Sequence, residues 1–528
     1  MSMRRPVWPT MSSAAALLAL GLSFTAPLAP ASAAEPARGG EMTIINGSDI
    51  KGWDPAVTNS TYPGGPMDVL DAIYGFIVYV DVNGVVQGGM AKSLTSDDAV
   101  TWTLKLRDGL TFTDGTPYDA EAVKYNWERA ADPDTLASAG TWAATWAGGM
   151  EVVDPLTLKI TLPAPNAIFA QQVAELVPFI ASPKMLEAAG TDKTKLQPVG
   201  AGAFTLESWD QGIGMTLARN PDYWDAPRPY LDTLKFKIIP ETNSRISTVV
   251  QGGATMMAGY TYQFGNNAEA PGVATKEIPI RGIYRGYFNF ENGIFQDLRA
   301  REAFYAAIDR GRLMQAYTQT KGYTAPDNYF GESSAYFAPD YKVPGYDPEK
   351  AQELIDELAA DGKPFEVNIV TYPNSDMKRL AEYVQQVINA YDNASAKITE
   401  VAMANLRDTC NQQLAYDVCF DGGALVSNGA EPNISKLLGT GGALNWSHYS
   451  SPEMDKLLAA ATETVDEAEI KADYAEAQKL FAEDLPFYIF GEDHRHLLLR
   501  DDTGGVVNSN GGILQKQYLF VCDAACVE

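Results

Sequence analysis

Residues 96–130 read SDDAVTWTLKLRDGLTFTDGTPYDAEAVKYNWERA, and three units follow one another in them. From Thr101 to Leu106 apolar and polar residues alternate. Trp102, Leu104 and Leu106 fall on one face, Thr103 and Lys105 on the other, which is the pattern of a strand with one buried side. Asp108-Gly109 predicts a tight turn, because glycine takes a positive φ at no steric cost. Leu110 to Phe112 reads as a second short strand, closed by a turn over Asp114-Gly115-Thr116-Pro117. Asp119 stands where a helix N-cap is needed, and Val123, Trp127 and Ala130 recur behind it at helical spacing. The stretch is architectural, and no residue in it points to chemistry.

Outward from it, the whole chain has 528 residues, room for two or three domains and a large core. With 46% apolar and 20% charged residues the composition is that of a globular protein. The net charge of −27, from 67 acidic and 40 basic residues, argues against nucleic acid and anionic membrane surfaces as partners. At the N-terminus, Arg4 and Arg5, the apolar run Ala14 to Phe24 and the small residues Ala31-Ser32-Ala33 predict a secretion signal over residues 1–34, cut near Ala33 or Ala34. No cysteine lies at that cut, so no lipid anchor is expected, and no later apolar run is long enough to span a membrane. A periplasmic location is the expectation. The four cysteines, Cys410, Cys419, Cys522 and Cys526, suit an exported chain with disulfides. Four cysteines allow three pairings; the local one, Cys410 with Cys419 and Cys522 with Cys526, is the first choice. Their spacings do not fit a zinc site.

The order strand, LRDGL, F-x-DGTP, D-A-E-A-V and helix resembles the segment shared by family 5 extracellular solute-binding proteins. These are the dipeptide-, oligopeptide- and nickel-type receptors that feed ABC importers. Thr113 departs from the pattern, where many members carry His. The resemblance continues through Trp53-Asp54-Pro55, Val152 to Leu162, Pro198-Val-Gly200-Ala-Gly202-Ala-Phe204, Arg219-Asn-Pro-Asp-Tyr-Trp224, Tyr287-Phe-Asn289, Leu298 to Arg310 and Leu485 to Phe490. It covers nearly all of the mature chain. It implies an α/β, two-lobed periplasmic binding protein fold with mixed sheets, a hinge and an additional family-specific subdomain. Lobe I would be discontinuous, over 35–73, 185–280 and 495–528. The inserted subdomain would fill 74–184 and lobe II 281–494. A lobe that the chain leaves and re-enters needs a hinge, the basis of closure on a ligand.

Catalytic patterns are missing from the sequence: it has no G-x-S-x-G, H-E-x-x-H or G-x-x-x-x-G-K-[ST], and its three histidines are His448, His494 and His496. No catalytic residue and no cofactor is expected, and a secreted hydrolase is the rival from another class. His494 and His496 with Glu492 make a conceivable metal pair, but a polar strand edge explains them as well, and no metal ligands are assigned.

Asp421 to Pro432, DGGALVSNGAEP, resembles the family's W-x-x-D-Y-x-[DE]-P segment. In peptide-binding members an Asp four residues before that Pro receives the peptide's α-amino group; Asn428 stands there, and a neutral amide lacks the charge-assisted bond an ammonium prefers. Aromatic residues are the other clue, since flat rings in a closing cleft stack on sugars, amides and apolar side chains. Trp142, Trp146, Tyr260, Tyr262 and Trp446 fall where the family's cleft receives side chains, and Trp146 is near a cleft tryptophan of nickel-chelate binders. The expected ligand-binding residues are Tyr62, Trp146, Tyr260, Asn428, Trp446 and Asn510, with Asn508 beside the last. The expected activity is capture of a di- or oligopeptide-like solute by a monomeric receptor that delivers it to the membrane permease of an ABC importer. An uncharged oligosaccharide or amino-acid derivative, or a metal chelate, is the alternative cargo.

Overall fold

A computed structural model of the chain describes residues 36–58, 65–82, 84–190, 196–260, 270–278, 282–319, 325–332, 334–426, 433–492, 495–509, 512–523 and 525–526. The strand Thr101–Leu106 forms where the alternation puts it. Trp102, Leu104 and Leu106 are buried, and Thr103 and Lys105 lie on the other face. It pairs antiparallel with Ala91–Thr95 and Thr157–Thr161 inside a four-stranded sheet that Met150–Asp154 completes. The helix Ala120–Ala131 starts at Asp119, whose side chain accepts from the Ala122 amide at 2.9 Å. It turns Val123, Trp127 and Ala130 inward against the sheet. The stretch Leu110 to Phe112 departs from expectation. It makes only an isolated bridge, Thr111 to Pro117, while Leu110 and Phe112 plug the core. Two turns so close together leave no room for a ladder. Trp142 lies in the short helix Gly140–Ala144.

The largest sheet is seven-stranded, in the order Val273–Ile278, Arg495–Arg500, Met256–Tyr260, Glu41–Asn46, Thr233–Ile238, Gly214–Arg219, Phe204–Asp210. Glu41–Asn46 runs parallel to both of its neighbours, and the other pairings are antiparallel. One face packs Met42, Ile44, Leu234, Phe236, Leu497 and Leu499 against the helix Pro66–Tyr74. The other packs Ile45, Met257 and Leu498 under the helix Thr242–Val250.

The two glycines of Pro198-Val-Gly200-Ala-Gly202 have a steric reason. A Cβ on Gly200 would lie 2.1 Å from the carbonyl oxygen of Ile73, and one on Gly202 2.6 Å from that of Ala72. The Gly202 amide donates to Ile73 O at 2.8 Å, so the end of the helix rests directly on this backbone. Gly200→Ala is therefore expected to destabilise the protein by about 2–3 kcal/mol through overpacking. Thermal unfolding of the variant beside wild type checks it; an unchanged melting temperature would refute the close approach.

A third sheet is five-stranded, in the order Ala394–Glu400, Phe365–Thr371, Val418–Val426, Gly282–Phe288, Phe487–Glu492. Phe365–Thr371, the helix Ser375–Ile388 and Ala394–Glu400 form the strand–helix–strand unit read from the sequence, with the two strands parallel. Two helices follow, Pro452–Glu463 and Glu467–Asp484. Asp466 caps the second, accepting from the Ala468 and Glu469 amides. The chain passes between the seven- and five-stranded sheets twice, from Ile278 to Gly282 and from Glu492 to Arg495. Disulfides join Cys410 to Cys419 and Cys522 to Cys526. The first lies in the core beside the central strand, both its cysteines fully buried. Among the described residues no helix is long and apolar enough to cross a membrane.

Candidate functional site

Trp146 follows the short helix Gly140–Ala144 and turns inward because its surroundings are aromatic. Its ring lies 5.5 Å from Trp127, 5.1 Å from Trp142 and 5.0 Å from Phe169, each at an edge-to-face angle. It is 3% exposed, yet its indole Nε1 has no hydrogen-bond partner. A buried N–H left unpaired carries a desolvation penalty of about 1–3 kcal/mol, so it favours any acceptor brought to it. Trp142 differs: its Nε1 donates to Gln172 Oε1 at 3.2 Å, which also accepts from Asn166 Nδ2 at 2.7 Å.

These side chains form one wall of a cavity of about 460 Å³. The opposite wall comes from the region of the five-stranded sheet and includes Ser435, Lys436, Gly442 and Thr462. The two walls touch where the Ala167 amide donates to Thr462 O at 2.7 Å. The helix Asn433–Leu438 carries Ser435 and Lys436 to the cavity, directly after the Asp421–Pro432 segment. Among the described residues Lys436 has no acidic partner. The cavity is thus lined by flat aromatic rings and by a lysine, a set suited to a small solute bearing a carboxylate. Its volume falls within the range of small-molecule sites.

Trp446 stacks on Tyr287, with ring centroids 5.2 Å apart, and its Nε1 also has no hydrogen-bond partner. Tyr287 belongs to a buried polar cluster. Arg285 Nε donates to its hydroxyl at 2.7 Å, and Arg285 Nη2 meets Asp421 Oδ2 at 2.7 Å. Burial works against the Arg285 charge, but Asp421 outweighs it and holds the guanidinium more firmly protonated than usual. The cluster pins the strand Val418–Val426 just before it enters the segment that holds Asn428.

The cavity does not gather all the residues picked from the sequence. It brings Trp142 and Trp146 together, whereas Trp446 sits in the Tyr287 stack. Tyr260 ends the strand Met256–Tyr260, paired in register with Arg495. Asn508 bridges to Leu514, and its Oδ1 is buried without a hydrogen bond. Tyr62, Tyr262, Asn428, His494 and Asn510 lie outside the described residues. Among the described residues no group of three or more metal-ligating side chains comes together. Sequence reasoning missed Lys436 and the Arg285–Asp421 pair. The only local signal was their place: Arg285 precedes Tyr287-Phe-Asn289 by two residues, and Asp421 opens the segment already singled out.

The model of bacterial extracellular solute-binding proteins, family 5 Middle, matches residues 85–445. The glutathione-binding protein GsiB of Salmonella paratyphi A is 29% identical over 486 residues, covering 89% of this chain and 91% of that protein. Among solved structures, the murein tripeptide binding protein MppA of Escherichia coli superposes with a TM-score of 0.71 at 22% identity, covering 93% of this chain and 100% of that one. NikA from Brucella suis, in complex with Fe(III)-EDTA, superposes with a TM-score of 0.78 at 19% identity, covering 91% and 100%. The fold shared with these structures is the two-lobed, mixed α/β architecture of periplasmic binding proteins. With the family model matching well over half of its length, this chain belongs to the family 5 bacterial extracellular solute-binding proteins.

Proposed function

We propose that the protein captures a small peptide-like solute with a free carboxylate, in the periplasm, and presents it to the permease of an ABC importer. The observation that carries the reading is the cavity between the Trp142–Trp146 wall and the Lys436 wall, which sets aromatic rings opposite a cation. In this reading lobe I comprises 35–73, 185–280 and 495–528, with 74–184 as its inserted subdomain and 281–494 as lobe II. In this reading the two lobes close on the ligand about a hinge. Ligand shifts the open–closed balance only as far as it binds the closed form better. Tyr62, Tyr260, Asn428, Trp446 and Asn510 are assigned to the same cleft. Family membership among solute receptors, with relatives named for glutathione and a murein tripeptide, supports binding without turnover. Lys436 favours a carboxylate-bearing cargo over an uncharged sugar.

Calorimetry with reduced glutathione and with trialanine tests the reading. One-to-one binding by at least one of them is expected, with a rise in melting temperature and no product. Lys436→Met should weaken it by about tenfold or more, the loss of a charge-assisted hydrogen bond. Trp146→Phe puts a smaller ring in the aromatic wall, and should weaken it by a smaller factor. Equal affinity in both variants would place the ligand elsewhere, and steady product release would replace the receptor with an enzyme.

A further inference from the structure

The helix Phe169–Leu176 carries Gln172, partly buried, to the cavity between the Trp142–Trp146 wall and the Lys436 wall. The Gln172 amide has one orientation there. An indole N–H can only donate, so the atom that Trp142 Nε1 meets at 3.2 Å is the amide oxygen. Asn166 Nδ2 donates to the same oxygen at 2.7 Å. Asn166 is itself fixed: its Oδ1 accepts from the Ile168 amide at 3.2 Å, and its backbone amide donates to Ala99 O at 2.8 Å. With the oxygen held by two donors, the Gln172 nitrogen is turned from both. Among the described residues its Nε2 makes no hydrogen bond, and it is not one of the buried unpaired atoms, so it is open to an incoming group.

Two other polar side chains of the lining have spent their hydrogens. Thr145 Oγ1 donates to Trp142 O at 2.7 Å and Thr462 Oγ1 to Ala459 O at 2.8 Å, which leaves both hydroxyls as acceptors. Neither suits a carboxylate, which can only accept. Much of the remaining lining is apolar, with Leu162, Pro163, Pro165 and Phe169 beside the indole rings. A carboxylate drawn from water into this setting needs hydrogen bonds as well as an opposite charge. Lys436 supplies the charge, and Gln172 Nε2 is a neutral donor on the facing wall. The two oxygens of one carboxylate have room for both.

We infer that Gln172 sets the specificity of the cleft for a carboxylate over a carboxamide: its Nε2 donates to the ligand carboxylate that Lys436 draws from the opposite wall. Trp142 and Asn166 are positioning residues that keep the amide nitrogen turned to the ligand. A carboxamide loses the charge that Lys436 seeks and sets its own N–H donors against those of Gln172 and Lys436. The inference rests on the cleft reading above and deepens it.

Calorimetry with reduced glutathione and trialanine, each beside the same peptide with carboxamides in place of its carboxylates, tests the inference on the full-length mature protein. Wild type should prefer the acid by about tenfold or more. Gln172→Glu keeps an acceptor for Trp142 and Asn166 but puts a negative acceptor where the donor was. Its melting temperature should not fall, while acid binding weakens by about tenfold or more and the preference for acid over amide drops by a similar factor. Gln172→Met, neutral and without a donor, should weaken acid binding by about tenfold, and it carries the test if Gln172→Glu does not fold. Asn166→Asp replaces the Nδ2 donor with an acceptor that draws the Gln172 nitrogen to itself, so it should lower the same preference with Gln172 unchanged. An unaltered preference there refutes the positioning role. Acid affinity unchanged in both Gln172 variants but weakened in Lys436→Met refutes the role of Gln172 and leaves the cleft reading intact. Equal weakening of acid and amide by Gln172→Glu, with a lower melting temperature, would make Gln172 a structural tie only and refute it equally. Binding of neither peptide by wild type would overturn the cleft reading and this inference with it.

Discussion

Replacing Arg285 with methionine is expected to lower stability by about 3–5 kcal/mol, the usual result of removing one partner of a buried ion pair. The guanidinium side chain is 2% exposed and the Asp421 side chain 13% exposed, so water cannot take over the lost contact. Asp421 would keep only the Tyr287 hydroxyl, at 3.4 Å, from this cluster. The effect should reach binding as well. Asp421 sits on the strand Val418–Val426, and Gly422 after it already adopts φ +67°, with Tyr372 and Met377 packed where a Cβ would go. Freed from Arg285, this strand loses its buried side-chain tie to the strand Gly282–Phe288. Chemical unfolding and calorimetry on Arg285→Met, Asp421→Asn and the double variant measure both effects. A double variant whose loss of stability equals or exceeds the sum of the single losses would show that the pair is not coupled as described.

At the helix Pro66–Tyr74, where the Lys516 ammonium lies 2.6 Å from Asp68 and 3.6 Å from Asp71, Lys516→Met and Asp71→Asn should act in opposite directions at pH 8. Methionine takes the shared cation from two buried carboxylates, and a loss of about 3–5 kcal/mol is expected. Asparagine removes a carboxylate whose charge burial penalises. Burial, opposed by Lys516 and reinforced by Asp68, pushes the Asp71 carboxyl up to about 6 from 3.8. A carboxyl raised in the folded state contributes stability that is complete below its unfolded value and is lost as pH rises through its folded value. The window is therefore about pH 4 to 6. Above it, Asp71→Asn should exceed wild type by up to about 3 kcal/mol, from roughly two pKa units, and the advantage should vanish near pH 4. Melting curves at pH 4, 6 and 8 read this directly. A variant less stable than wild type at pH 8 would mean that Asp71 acts mainly as the lysine's partner.

The sequence reveals most where structure is local. Alternation from Trp102 to Leu106 needs only a buried face, Asp119 needs only the amide of Ala122, and each cysteine's partner lies within ten positions. One expectation failed for a local reason of its own: Leu110 and Phe112 serve as core plugs between turns. The glycines at 200 and 202 were visible as a motif, but their reason is a backbone more than a hundred residues earlier. Polar partnerships were the least legible. Trp146 came from family likeness, whereas nothing in its sequence neighbourhood announces Lys436 across the cavity. Arg285 and Asp421 are 136 residues apart.

Lys516 and Asp68 are separated by 448 residues, and Arg495–Arg500 is inserted between two strands made long before it. A ribosome that has finished the first five hundred residues has still not supplied the ammonium that balances the opening helix. Truncation ahead of Arg495 would leave a gap one strand in from the edge of the largest sheet and remove the lysine that meets Asp68 and Asp71. The region begun first is the one completed last, which slows its assembly because distant contacts must wait for the intervening chain to close.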